Sequence, residues 1–594
     1  MRDWRPTLGA VHTPAATTFR VWAPEATSVD LILAAPGHSG RGLPLQKDEA
    51  GYWSAIVDGL PAGARYRYRL NGDDRRTFPD PASRFQPEGV HGPSQVIDPA
   101  AFVWTDQAWQ APPRERLVFY ELHVGTFTDE GTFRGVIGKL PYLRALGVTA
   151  IEIMPIADFP GDRNWGYDGV ALFAPARCYG SPDDFRALVD AAHNHGLAVF
   201  LDVVYNHMGP DGAYANAFSP YYFTDAHESP WGKGVNLDGQ HAVHVRRFFI
   251  ETALHWTREY HLDGLRLDAT HAMQDDSPRH FLAELTATLR RDVPQPLTIV
   301  AEDHRNLPHM LRPEDEGGYG LDAVWADDFH HQARVHTAHD REGYYAQFTG
   351  SIEDIAATLR RGWFRGADPA GLRPEQFVLC IQNHDQVGNR ADGARLNQHV
   401  DAPTYRALSV LLLLAPETPL LFMGQEWAAS TPFLFFTDHE PDLGRRVTEG
   451  RRQEFSAFEA FSDPARRDTI PDPQSPRTFE RSRLLWREAA NRTTHHAYTR
   501  HLYQRLLRLR KGAAPGNATA LDAHTIQMTA GGLTVIARLS GGGAVVIRDA
   551  GVVRRNAVLT TEDVDVTMDS KPIEVDTAAS TLRFARPGAI VFAP

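Results

Sequence analysis

Cysteine is almost missing: Cys178 and Cys380 are the two thiols in 594 residues. Two thiols cannot build a disulfide framework or a thiolate zinc site, and the expected compartment is a reducing cytoplasm. Positive charge is in short supply too. Lys and Arg number 61 against 74 Asp and Glu, a net charge of −13, and no run of more than two consecutive basic residues interrupts that balance. No nucleic acid and no anionic membrane is therefore expected as a partner. Long apolar runs are also lacking. The longest, 407–415, is interrupted by Ser409 and falls far short of the ~20 residues that cross a bilayer. Residues 1–8 lack the apolar core of a secretory signal. What remains is ordinary for a folded protein, with 42% apolar and 23% charged residues. The length suggests three or so domains at roughly 100–200 residues each.

Three textures follow one another. Over 1–110, short alternating stretches such as Thr18-Phe19-Arg20-Val21-Trp22 and Tyr66-Arg67-Tyr68-Arg69-Leu70 are separated by turn residues, the period of an antiparallel β-sandwich. Ala111-Pro112-Pro113-Arg114 reads as a linker. From 111 to 518, short apolar strands alternate with helical patterns. Ser181 can cap a helix whose apolar face is Phe185, Leu188, Val189 and Ala192, and the apolar run 197–204 then suits a parallel strand buried on both faces. Phe133, Val136, Ile137, Leu140 and Leu143 line another helix face. Eight candidate strands, 118–123, 150–156, 198–204, 264–268, 298–302, 323–326, 377–382 and 419–423, make the fold class α/β, a (β/α)₈ TIM barrel. Irregular excursions are expected after the third strand, about 208–240, and after the eighth, about 427–479. Alternation returns in 519–594, read as a C-terminal antiparallel β-domain.

Barrel enzymes carry reactive groups where the strands end. The third strand ends in Asp202, with Asn206 and His207 beyond it; the fourth in Arg266 and Asp268; the fifth in Glu302; the seventh runs into His384 and Asp385. Period two puts Arg266 and Asp268 on one face of their strand and Leu265 and Leu267 on the other. A guanidinium beside Asp268 favours its ionised form and suits it to be a nucleophile. Glu302, preceded by apolar residues and facing other carboxylates, should hold its proton. Two carboxyl groups with pKa values driven apart meet the requirement of retaining glycoside hydrolysis, and Asp385 can stabilise positive charge on the sugar ring. Each residue alone has a plainer reading as a turn former, a helix cap or a buried histidine. Their joint placement at strand ends favours catalysis.

Two histidine groups, His193 with His195 and His330-His331 with His336, resemble metal spacings, but no further ligand completes a zinc geometry. The acidic loop after Asn206 could hold calcium, although no dense Asp/Asn loop is evident. No metal and no cofactor is assigned. Aromatic residues add a clue, because sugars present apolar ring faces. Tyr167, Trp231, Trp325 and Phe329 fall in expected loops or strand ends on one side of the barrel, and Tyr167 and Trp231 lie among Gly, Asn and Pro.

Asp202-Val203-Val204-Tyr205-Asn206-His207, Gly264-Leu265-Arg266-Leu267-Asp268, Val300-Ala301-Glu302-Asp303 and Gln382-Asn383-His384-Asp385 resemble the four ordered motifs of the α-amylase family of glycoside hydrolases. The resemblance implies Asp268 as nucleophile, Glu302 as general acid/base and Asp385 as transition-state stabiliser. It places Arg266, His207 and His384 around the reacting sugar, with Tyr167 stacking beneath it. Phe19-Arg20-Val21-Trp22-Ala23-Pro24 resembles the N-terminal sandwich of the branching, debranching and trehalose-releasing members. Glu121-Leu122-His123-Val124-Gly125-Thr126-Phe127, Trp325-Ala326-Asp327-Asp328-Phe329-His330-His331, Asp385-Gln386-Val387-Gly388 and Thr431-Pro432-Phe433-Leu434-Phe435-Phe436 look like the trehalose-releasing branch. That branch implies maltooligosyltrehalose and α-glucan oligosaccharides as partners, with Trp325, Asp328, Phe329, His271 and Gln386 holding the trehalose side. A branching or transglycosylating enzyme, and a non-catalytic glucan-binding protein, remain as alternatives. Oligomeric state is not legible.

Overall fold

The computed structural model describes residues 4–34, 42–467, 469–491, 493–561 and 573–594. The N-terminal part is a sandwich of two four-stranded sheets. Alternation decides which side chains enter it. Along Ala16–Trp22 the buried positions include Thr17, Phe19 and Val21, and along Arg65–Leu70 they are Tyr66, Tyr68 and Leu70. Phe19 meets Tyr66 edge-on at 4.9 Å between ring centroids, one of the aromatic contacts that join the two sheets.

Eight parallel strands then close into a barrel in chain order: Phe119–Leu122, Ala150–Ile153, Ala198–Val203, Gly264–Leu267, Thr298–Glu302, Ala323–Trp325, Phe377–Leu379 and Thr418–Phe422. Each coincides with an expected strand, and several stop earlier because their last residues leave the ladder to build the mouth. Asn383, expected at the end of the seventh strand's motif, instead caps the short helix His384–Gly388 by accepting the backbone N–H of Gln386 at 2.8 Å. The barrel interior is filled by Phe119, Ala150, Phe200, Val300, Val378 and Leu420 among others. Gly264 is required there, since a Cβ would lie 2.1 Å from the Phe200 ring. As the alternation demands, Leu265 and Leu267 are fully buried in the outer layer, whereas Arg266 points inward.

The helix Pro182–Asn194 carries the expected cap, with Ser181 and Asp184 forming a reciprocal capping box. The expected helix over Phe133 to Leu143 is split into Phe133–Ile137 and Leu140–Leu146. Pro141 explains the break, because it lacks an N–H and its ring would strike the carbonyl of Ile137. The excursion after the third strand is less irregular than expected. It contains the helix Ala215–Phe218, whose Phe218 packs into the sandwich core, and a hairpin of Phe223–Ser229 and Gly232–Val235. The excursion after the eighth strand includes the helices Pro441–Glu454 and Pro476–Arg481.

A five-stranded and a three-stranded antiparallel sheet complete the chain. The apolar run around 407–415 belongs to the helix Ala402–Leu414, buried along nearly its whole length between barrel and C-terminal sheet. Among the described residues no helix is long and apolar enough to cross a membrane.

Candidate active site

The site grows from Arg266. Its guanidinium is fully buried at the end of the fourth strand, where Nη1 donates to Asp268 Oδ1 at 2.7 Å and to both Asp202 oxygens at 3.0 and 2.9 Å. The Trp325 ring supports the same guanidinium at 4.3 Å. Asn206 Nδ2 donates to Asp268 Oδ2 at 2.8 Å, so each oxygen of that carboxylate has a donor. These donors hold the carboxylate in place beside the guanidinium.

Tyr167 donates its hydroxyl to Asp202 Oδ2 at 2.6 Å and lies 2.8 Å from His384 Nε2. Because the Tyr167 proton is committed to Asp202, the His384 Nε2–H donates to the phenol oxygen. On its other side His384 Nδ1 donates to Glu121 Oε1, and its backbone N–H donates to Glu121 Oε2 at 3.0 Å. Both ring nitrogens therefore carry protons. Burial opposes a charge on His384, but Asp385 and Glu121 raise its pKa to about 9.

Glu302, at the end of the fifth strand, accepts the backbone N–H of Ala269 at 2.7 Å and lies 4.0 Å from Arg266 Nη2. Burial pushes its carboxyl up to about 8; Arg266 opposes the rise, while Asp268, Asp385 and Asp327 add to it. Asp385 has a side chain 39% exposed and receives Asn389 Nδ2 at 3.0 Å, which leaves it open to the cleft. Asp268, bonded to the guanidinium, and Glu302, held as an acid, are thus neighbours of one arginine.

The remaining expected residues divide. His207 lies beside Tyr167, its Nε2–H donating to the Tyr167 carbonyl at 3.0 Å. Its ring is stacked on Trp231 at 4.6 Å, and Trp231, 49% exposed at the hairpin, is a platform at the mouth. His271 stands edge-on to His304 at 4.6 Å, with its Nδ1 lacking a hydrogen-bond partner, and burial lowers its pKa. Gln386 reaches Tyr344 and His331 at 3.4 and 3.3 Å.

Three residues expected on the trehalose side are buried in the structure. Trp325 is buried inside the barrel beneath Arg266, where it supports the guanidinium. Phe329 has no exposed surface and belongs to the hydrophobic core. Asp328 accepts the N–H groups of Phe364 and Arg365, each at 2.8 Å, and Asn306 Nδ2 at 3.0 Å, so it anchors a loop. Its neighbour Asp327 is one of the three carboxylates whose charge acts on Glu302; burial and the adjacent Asp385 raise Asp327 to about 6. Sequence reasoning missed Asp327 and Glu121 as site residues, although both lie in motifs it singled out.

Among the described residues neither histidine group gathers three ligand-type atoms. His193 is held between two carboxylates, and His330 meets the Ile381 carbonyl at 2.9 Å. Asn206 is engaged by Asp268 and His207. One group among the described residues, His227, Asp238 and Asp276, has ligand-type atoms within 4.8 Å of one another. Hydrogen bonds already join it: His227 Nε2 meets Asp238 at 2.7 Å and the Asp276 N–H donates to the same carboxylate at 2.8 Å, tying the Trp231 hairpin to the loop after the fourth strand.

Residues 7–85 match carbohydrate-binding module 48, the isoamylase N-terminal domain, and residues 95–230 match the alpha amylase catalytic domain. Among solved structures, a Salmonella typhimurium protein described as an alpha amylase superposes with a TM-score of 0.87 at 36% identity, covering 99% of this chain and all of that one. A pullulanase of Anoxybacillus sp. LM18-11, solved with maltotetraose, shares the fold at a TM-score of 0.72 and 18% identity, covering 99% of this chain and 87% of its own. Barrel, module and carboxylate cluster define a glycoside hydrolase of the α-amylase class. Sequence relatives narrow that class. The malto-oligosyltrehalose trehalohydrolase of Deinococcus radiodurans is 46% identical over 86% of this chain and 84% of its own. Its counterpart in Saccharolobus solfataricus is 44% identical over 81% and 84%. The chain belongs to the malto-oligosyltrehalose trehalohydrolase family.

Proposed function

We propose that the protein hydrolyses the α-1,4-glucosidic bond joining a maltooligosaccharide to the terminal trehalose of maltooligosyltrehalose, with retention of configuration. One observation carries the chemistry: Arg266 binds Asp268 directly at 2.7 Å, while Glu302, farther off at 4.0 Å, keeps its proton. Asp268 attacks the anomeric carbon of the glucose next to trehalose, and Glu302 gives its proton to the departing O4 of trehalose. Trehalose leaves, and a glycosyl ester on Asp268 remains. Glu302, now a carboxylate, takes a proton from water, whose oxygen attacks the same carbon from the opposite side to the ester; the maltooligosaccharide is released and Glu302 is reprotonated.

Asp385, open to the cleft, supports the positive charge that develops on the ring. The His384 imidazolium, Arg266 and the Tyr167 ring line the reacting glucose, His207 and the Trp231 platform lie beside it, and His271 and Gln386 are the remaining candidates for the trehalose side. Residues 1–110, 111–518 and 519–594 are proposed as its three domains, and the scarcity of cysteine supports a cytoplasmic location.

The test is chromatography of products from maltotriosyltrehalose and, separately, amylose, with Glu302→Gln as control. Trehalose and maltotriose, absent in the control, support the assignment. New α-1,6 branches in amylose with intact trehalose ends would replace it with a branching enzyme.

A further inference from the structure

At the opposite end of the barrel from the carboxylates lies a cleft of about 530 Å³. Its walls come from segments that precede barrel strands: Trp104 and Trp109 before the first, His261 and Asp263 before the fourth, Gln295 before the fifth. The N-terminal segment with Trp4 closes one side. The volume falls within the roughly 300–1,000 Å³ of small-ligand sites.

Three of the chain's 12 tryptophans line this one cleft. Two are held rigidly. Trp104 is stacked on His261 at 3.8 Å, and Trp109 is stacked on His193 at 4.6 Å while its Nε1 donates to Asp263 at 2.8 Å. The two imidazoles are fixed in turn by Asp106, which each meets at 2.9 Å. Indoles fixed in this way offer preordered platforms with little entropy left to lose on binding.

Charge defines what such platforms take. The cleft holds three arginines and a protonated His193 against four carboxylates, so it has no net charge to select an anion or a cation. A neutral ligand with flat apolar faces and hydroxyl edges fits: the faces lie on indole, and the edges meet the carboxylate, guanidinium and amide groups around it.

We propose that this cleft is a second α-glucan binding site, taking a short run of α-1,4-linked glucose units away from the catalytic mouth. The choice of glucan rests on the function proposed above. Engaging one long chain at two sites would raise its effective concentration at the mouth.

The test is calorimetric titration of the full-length Glu302→Gln protein with maltoheptaose. Two binding events are expected, and Trp104→Ala weakens one of them at least tenfold while leaving the other. Trp4→Ala, at a position with less packing to lose, should weaken the same event if Trp104→Ala fails to fold. A single event that neither variant alters, or two events that both variants leave intact, would overturn the proposal. So would a cleft that binds ATP or inorganic phosphate and no maltoheptaose. Loss of the event at the mouth, with the Trp-dependent event present, would instead count against the function proposed above.

Discussion

Glu302 and Asp268 differ in environment rather than in kind. Replacing Glu302 by Gln keeps the shape and removes the transferable proton, so kcat on maltotriosyltrehalose should fall by roughly 10²–10⁴-fold with KM little changed; steady-state kinetics checks this. Glu302 must be protonated to act as the acid, and its folded pKa is raised to about 8, so kcat/KM should decline as pH rises through that value. Asp327 adds to the rise. Its negative charge makes the Glu302 proton harder to lose, so Asp327→Asn should move the alkaline limb of the pH profile to lower pH, whereas an unmoved limb would show that Asp327 does not act on Glu302. Asp327 and Asp328 show where sequence reading stops at the scale of single residues. Two adjacent aspartates are chemically equal on paper, and only the start of the helix Asp328–Thr337 decides that one lies near Glu302 and the other accepts loop N–H groups.

Short elements carry the platforms. The hairpin that presents Trp231 is tied down by His227, Asp238 and Asp276, and its indole lies on His207. Trp231→Ala removes an exposed ring and no core packing, so KM for maltotriosyltrehalose should rise several-fold to tenfold, on the order of 0.5–1.5 kcal/mol, with thermal stability unchanged. The eight strands were legible because a parallel strand buried on both faces is a short apolar run, and a polar residue at its end marks the mouth. The buried carboxylates were not. Glu121 and Glu152 interrupt apolar strands with nothing in the sequence to assign them a partner, yet Glu121 holds His384 from both its ring and its backbone. Glu152 is fully enclosed, and burial raises its pKa well above the ordinary carboxyl range. Their place inside the barrel appears only when the eight strands close.

Over the whole molecule, sandwich and barrel are joined by side chains that composition could not reveal. Asp106, between the sandwich strands and the first barrel strand, and the barrel residue Asp263 hold His193 between them at 2.9 and 3.0 Å. Burial disfavours its charge, but the hydrogen bonds it donates to the two carboxylates raise His193 to about 9. A histidine pKa raised on folding stabilises the folded state fully below about 6.5 and loses that contribution as pH rises through about 9. Thermal unfolding temperature should therefore fall between pH 7 and 10, and Asp263→Asn should both lower it at pH 7 and flatten the fall; an equal fall in the variant would contradict this link. The overall architecture was readable because each texture has its own period. The hairpin at the mouth and the packing of Phe218 into the sandwich depend on contacts distant in sequence.

One measurement joins site to product: a proton NMR time course of the protein with maltotriosyltrehalose. Trehalose and maltotriose should appear in equal amounts, with maltotriose first seen as its α anomer before mutarotation. The β anomer appearing first, or transfer of the maltotriosyl unit to another sugar with no equivalent of free maltotriose, would contradict it.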